Sequence, residues 1–570
     1  MSDTPIGPYV RRPLAVEPWD PRTVEVAERV AALVNAVRPD LRVEHTGSSS
    51  VPGLPGKNVV DLSIETDPDD VPRAAAVLRD LGFQRQTNRN PWPPTRPMHV
   101  GSLEHGGARF PIHAHVLPRG HRVYGHHHRR DLAFRDALRA RADLREQYAA
   151  LKQAIIDAEP IDSLRYSIAK TEWIRTTLAD LGVADPVILP PATIGILGGG
   201  QLGRMLALAA RSMGYRIAIL DPDDRCPAAA VADAMVVGAY DDVDAALRLA
   251  GVSDVITYEL EHVAAPVVER LDWDWPVRPG LLPLLVTQDR LAERRFVESE
   301  GIAVAPWREV RTAADLAAAA EALGGPLRIK VATGGYDGRG QVRLERADPE
   351  AAEAAIAALG RPAGEPLLAE RELNFAAELS VIVTQGIDGR ATTFPVARNR
   401  HGEGILVESV TPAGVPVEVE TAARDIARRL AVGMGLEGTL AVELFLLGDG
   451  SLVVNELAPR VHNTGHWTVD ACRTSQFEQH VRAICGLPLG SVDAHVPAAL
   501  ANVLGTGARR AARVAGVERA LADPLARLEL YDKQEVFERR KMGHVIAVGA
   551  TPDEALERAR AAAVAIEWEA

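Results

Sequence analysis

The chain has 570 residues, 47% of them apolar and 25% charged, and a net charge of −13. That length is too great for one hydrophobic core and predicts roughly three to five domains. The negative balance, with no long basic run, argues against nucleic acid and against an anionic membrane as partners.

No run of 18 apolar residues occurs, and the N-terminus lacks a basic-then-apolar leader. Cys226, Cys472 and Cys485 form no CxxC pair. A cytoplasmic, reducing location is therefore expected.

In chain order, residues 1–12 read as loose. Residues 13–182 alternate strand-like and helix-like segments and close with a helix around 163–181. Within them lies EHTGSSSVPGLPGKNVVDLSIE, with Gly47 and Ser48 at a turn and Asp61 on the next strand. Eight of the sixteen histidines fall between His99 and His128. His113 and His115 share one strand face. With His45 and the 126–128 run they define a candidate metal cluster, although phosphate binding or plain packing suits them better.

The segment 183–192, GVADPVILPPA with its preceding Gly182, reads as a linker. At Thr193 a strand, a glycine-rich turn and a helix begin. In Gly198-x-Gly200-x-x-Gly203 the first glycine permits a tight turn, the second a close approach, and the third helix-on-sheet packing. Asp221 follows 23 residues after Gly198, where a dinucleotide enzyme places its ribose carboxylate. The later motifs favour a structural βαβ fold whose crevice serves another ligand. This gives a domain at 193–290.

Residues 291–495 carry the next two signals. Lys330 ends a strand and leads into Gly334, Gly335, Asp337, Gly338 and Gly340. Such a loop can fold over phosphates and present backbone N–H groups, with the lysine as a fixed charge. It is not a P-loop, because GxxxxGK[ST] is absent. Glu370 ends an apolar strand whose neighbouring backbone suits an adenine edge, and Glu378 suits ribose hydroxyls. Further on, Glu443 and Glu456 sit on adjacent strands, with Asn455 beside the second. Paired acidic oxygens hold hard cations against a polyphosphate, so ATP with Mg2+ is expected. Arg460, His462 and His466 follow, basic residues suited to an anionic substrate. Residues 496–570 hold short strands and a helix near 552–563.

Residues 193–570 resemble the N5-carboxyaminoimidazole ribonucleotide synthases, which are ATP-grasp ligases. The matching stretches are GILGGGQLGRM (195–205), TYELEHV (257–263), QDRLAERRF (288–296), GGYDGRGQ (334–341), NRHGEGIL (399–406), NELAPRVHNTGHWT (455–468) and KMGH (541–544). They occur in family order. The resemblance implies a pre-ATP-grasp Rossmann-like domain (193–290), an ATP-grasp domain (291–495) and a small β-rich C-terminal domain (496–570).

It also implies that ATP and bicarbonate form an activated carboxyl donor, which the amine of 5-aminoimidazole ribonucleotide attacks. Tyr336, Asp337, Arg460 and His466 would act at the reacting groups. Arg294, Lys330, Gly335, Gly338, Glu370, Glu378 and Asn455 would hold ATP. Gln201, Leu202, Glu259, Glu261, His401, Lys533, Arg540 and Lys541 would hold substrate, and Glu443 and Glu456 the metal. A homodimer through this unit is implied as well. Arg294 stands near where the family has a phosphate-binding lysine, and Phe537-Glu538 where Arg-Pro is usual. A different acceptor, or a weakly active nucleotide-binding scaffold, are the competing readings.

Residues 13–182 resemble the GrpB-like family, which implies a nucleotidyltransferase-like α/β fold. The matching stretches are EHTGSSSVPGLPGKNVVDL (44–62), FPIHAHV (110–116), HRRDLAFRDALR (128–139) and YAALKQAI (148–155). Asp61 would be one metal carboxylate of such a fold, but position 63 is Ser63, so the usual second carboxylate is missing. The whole is expected as an α/β and α+β multidomain chain.

Overall fold

A computed structural model describes residues 4–569 apart from 12–14, 87–95, 121–123, 159–162, 184–186, 336–339, 346–348 and 363. The chain forms two compact units, the first built from residues 1–186 and 273–275 and the second from 187–272 and 276–570.

The first unit is a five-stranded sheet in the order Arg42–Thr46, Val60–Thr66, Ala108–Pro118, Met98–His105, Gln84–Arg85. Val60–Thr66 pairs parallel with Ala108–Pro118, and the other pairs are antiparallel. The helix Arg22–Val37 buries Val26, Val30 and Val34, one face at four-residue spacing, against Leu62, Ile64, Phe110 and Ile112. Residues before 12, read as loose from sequence, take part in this unit. Ile6 is 1% exposed, and Gly7 exchanges two backbone hydrogen bonds with Ser102. A single buried isoleucine has no periodicity to reveal it.

In the second unit, Ala234–Val237, Arg216–Asp221, Thr193–Leu197 and Val255–Tyr258 form a four-stranded parallel sheet. The helix Gln201–Ser212 covers it. Met205, Leu206 and Ala210 pack with Phe477, Val481 and Ile484 from the much later helix Gln476–Cys485. The segment read as a linker is split: residues 187–192 belong to this unit. Ile188 donates its N–H to the Cys485 carbonyl, and its own carbonyl accepts from the Tyr215 hydroxyl at 2.6 Å.

An antiparallel sheet of Trp307–Val310, Leu367–Arg371, Leu327–Val331 and Gln341–Leu344 carries the glycine loop. A nine-stranded sheet holds the paired glutamates. It runs on from Ile405–Thr411 into Ala498–Leu504, Lys541–Val548 and Ala526–Leu530, so the C-terminal strands continue one sheet with the ATP-grasp strands. Among the described residues no helix is long and apolar enough to cross a membrane.

Candidate active site

Three layers of the second unit meet around a cavity of about 1230 Å3. Its floor is the strand pair Gly438–Leu447 and Leu452–Ala458, in which Glu443 stands directly opposite Glu456. A register shift after Glu443 makes Asn455 the extra residue of a bulge, and its amide donates to Glu443 Oε2 at 3.4 Å. Burial, with Glu456 and Glu378 nearby, pushes the Glu443 carboxyl up to about 7 against the pull of His401. Two carboxylates facing each other across one strand pair are a donor set suited to a hard cation. Among the described residues no three His, Cys, Asp or Glu side chains converge on one metal position. A hard cation that takes one or two carboxylates and completes its shell with phosphate oxygens needs no third.

One wall is the glycine-loop sheet. Lys330 pairs with Glu370, and Glu370 also accepts from Arg294 at 3.0 Å. Burial alone would raise Glu370, but the two cations outweigh it and hold the carboxyl near 2. Arg294 is 1% exposed and does not line the cavity. Its guanidinium also reaches Glu293 at 2.6 Å and the Asn455 carbonyl at 2.8 Å. The expected phosphate contact at Arg294 is thus corrected. All its donors face inward, where it braces the bulge at Asn455 and orients Glu370.

Arg290, one helical turn earlier, does line the cavity and donates to the carbonyls of Val331 and Gly335. Glu293 accepts from the Leu457 N–H at 2.8 Å. Positions 290, 293 and 294 share a helix face, so a polar stripe at i, i+3, i+4 was the available signal for both residues. Tyr336, Asp337 and Gly338 lie outside the described residues.

A second wall comes from the parallel sheet. Glu259, 8% exposed, accepts from the N–H groups of Gly200 at 2.6 Å and Gly203 at 2.5 Å. A side chain at Gly200 would collide with that carboxylate, and Gly198 has φ +104°, so both must be glycine. Asp221 accepts from Gly199 N–H and from the Tyr240 hydroxyl. The anion seat of the turn is therefore filled by the protein's own carboxylate, and the ribose-binding position by an internal contact. Glu259 faces the cavity but spends both oxygens here. Glu261 pairs with Arg460 at 2.8 Å.

The third wall brings Lys533 to Gln201 Oε1 at 2.7 Å, with Leu202, Arg540 and Lys541 beside them. His401 donates its backbone N–H to Glu378, and its ring Nδ1 meets the same carboxylate at 2.9 Å. Burial opposes protonation of His401, yet Glu378 and Glu443 pull its pKa above the usual value. His466 is not at the cavity. It is fully buried, bonded to Gln476 at 3.2 Å, with His544 at 4.7 Å and Phe477 at 5.4 Å. The short helix Asn463–Gly465 turns the chain inward after His462, and His462 is the histidine that lines the cavity.

Family models follow this architecture. A ribonucleotide synthetase preATP-grasp domain matches residues 191–288, an ATP-grasp domain 295–477, and a phosphoribosylaminoimidazole carboxylase C-terminal domain 498–558. The N5-carboxyaminoimidazole ribonucleotide synthase of Brucella melitensis is 44% identical over 359 residues, covering 63% of this chain and 97% of the relative. The chain belongs to the N5-carboxyaminoimidazole ribonucleotide synthase family. It is an ATP-grasp ligase of that family, fused to a unit that matches the GrpB protein model over residues 13–180.

The Bacillus subtilis synthase is 42% identical, covering 65% of this chain and 94% of that protein. A solved synthetase in complex with ADP aligns with a TM-score of 0.61 at 42% identity, over 66% of this chain and 97% of its own. The Aspergillus clavatus synthase, solved with ADP and 5-aminoimidazole ribonucleotide, aligns with a TM-score of 0.59 at 31% identity, over 66% and 98%.

In the first unit Asp61 accepts from His113 Nδ1–H at 3.1 Å, and His113 Nε2 meets the Tyr9 hydroxyl at 2.9 Å. His45 is bonded to Ser49. Of the 126–128 run only His128 has a described side chain, and it is buried. The candidate histidine metal cluster does not assemble among the described residues.

Proposed function

We propose that the second unit carboxylates 5-aminoimidazole ribonucleotide to N5-carboxyaminoimidazole ribonucleotide, using ATP and bicarbonate. The observation that carries this is one cavity holding the Glu443–Glu456 pair, the Lys330–Glu370 pair and the cationic corner of Lys533, Arg540 and Lys541.

Glu443 and Glu456, with Asn455, would hold Mg2+, which when bound neutralises charge on the transferred phosphoryl group. Lys330 and Arg290 would face the polyphosphate, while Glu378, oriented by His401, would meet ribose hydroxyls. A bicarbonate oxygen attacks the γ-phosphorus as the bond to ADP breaks, giving carboxyphosphate. The exocyclic amine then attacks its carbonyl carbon, phosphate leaves with the C–O bond pair, and the nitrogen loses a proton. Arg460, anchored by Glu261, supplies positive charge for the bicarbonate. Lys533, Arg540 and Lys541 would seat the ribonucleotide phosphate. The enzyme would work in the cytoplasm as a homodimer.

The test is phosphate release from ATP by the full chain. Release that needs both 5-aminoimidazole ribonucleotide and bicarbonate, and is abolished by Glu456→Ala, supports the reading. Acceptor-independent release, or none with ATP still bound, refutes it.

A further inference from the structure

The helices that close the first unit bring together lysines that the fold leaves without counter-ions. Lys152, on Ala142–Ala158, is 1% exposed and donates to the Pro55 carbonyl. Lys170, on Ser163–Asp180, lies 4.2 Å from the centroid of the Tyr166 ring, and Lys57 lies 5.5 Å from the same centroid. None of the three has a carboxylate at ion-pair distance among the described residues. Burial and repulsion from Lys170 push Lys152 down to about 7, and burial and repulsion from Lys57 push Lys170 down to about 8.

A buried ammonium group is normally paired, and gathering the buried Lys152 with the half-buried Lys57 and Lys170 costs the fold stability unless something offsets their charge. Asp61 acts through space on Lys57 and Lys170, and its carboxylate is already engaged with His113.

Gly56 marks where the cluster opens to a hydroxyl. A Cβ there would lie 2.8 Å from Ser48 Oγ and 3.5 Å from Lys152 Nζ. Ser48 and Lys152 therefore converge on one backbone point, and glycine keeps that point clear. Three compact cations with a hydroxyl donor suit a multiply charged tetrahedral oxyanion better than a single carboxylate.

We propose that the first unit binds a phosphorylated small molecule, its phosphate seated among Lys57, Lys152 and Lys170 with Ser48 as a further donor. The three lysines supply charge, and the Asp61–His113–Tyr9 chain lies beside them as a fixed polar wall. This makes the fused unit a second ligand-binding domain, independent of the carboxylation reading.

The test is calorimetric titration of the full chain with inorganic pyrophosphate at low salt, with the nucleotide site saturated by ADP. Wild type should bind pyrophosphate, and Lys57→Met/Lys170→Met should weaken this at least about tenfold. Lys57→Arg/Lys170→Arg should retain most of it. Ser48→Ala, a smaller change, should also weaken binding and covers the case in which the double variant fails to fold by circular dichroism. Absence of binding by wild type overturns the proposal. So does equal binding by folded lysine variants, which would place the pyrophosphate in the second unit.

Discussion

Replacing Arg294 by methionine separates two roles for this side chain. If it is the buried brace described here, its loss leaves Glu293 without its 2.6 Å partner and Glu370 with Lys330 alone. It also leaves the Asn455 carbonyl without its 2.8 Å donor. Breaking a buried ion pair by removing one partner costs about 3–5 kcal/mol. Glu293 is already pushed up to about 7 by burial, so it will take a proton and soften the loss toward the lower end. Arg294→Lys should recover only part, because one ammonium group cannot span three separate acceptors in the manner of a planar guanidinium. The assay is urea unfolding of the full chain, following the transition of the second unit, together with the KM for ATP. A lowered midpoint in Arg294→Met, with partial recovery in Arg294→Lys, is expected. An unchanged midpoint with a tenfold or greater rise in the KM for ATP would refute the brace and restore the phosphate contact.

Glu259→Gln keeps one acceptor for the glycine turn but sets an amide N–H against the other glycine N–H. The loss should be about 2 kcal/mol, read as a lower melting temperature, and a variant that melts like wild type would sink the account of the filled anion seat. Lys152 gives a pH signature. Its pKa is held at about 7 when folded against the ordinary 10.5, so between these values the unfolded chain binds a proton that the folded chain has released. Stability of the first unit should therefore rise with pH across that window. Lys152→Met should flatten the slope, gaining on wild type at pH 7 more than at pH 9, and identical slopes would refute this.

The sequence was most informative where chemistry is written in short local patterns. The Gly198–Gly203 turn between a strand and a helix, the loop after Lys330, and two glutamates bracketing a strand turn each have a spacing that dictates local geometry. Glu443 and Glu456 face each other because antiparallel pairing brings those positions into register. The GrpB-like and synthase stretches were legible for the same reason.

What only the tertiary structure decided is where buried charges end. Arg294 reads as a phosphate ligand in sequence. Its partners Glu370 and Asn455 lie 76 and 161 residues away, and no local pattern announces them. Glu259 reads as a substrate contact but fills a glycine turn that lies 56 residues earlier. His466 shares a basic run with His462, yet one short helical turn separates a cavity wall from the interior. Local periodicity fixes which way a side chain leaves the backbone. Whether it then meets ligand, water or another charge is settled by segments distant in sequence, because a charge withdrawn from water is stable only where the fold delivers its partner.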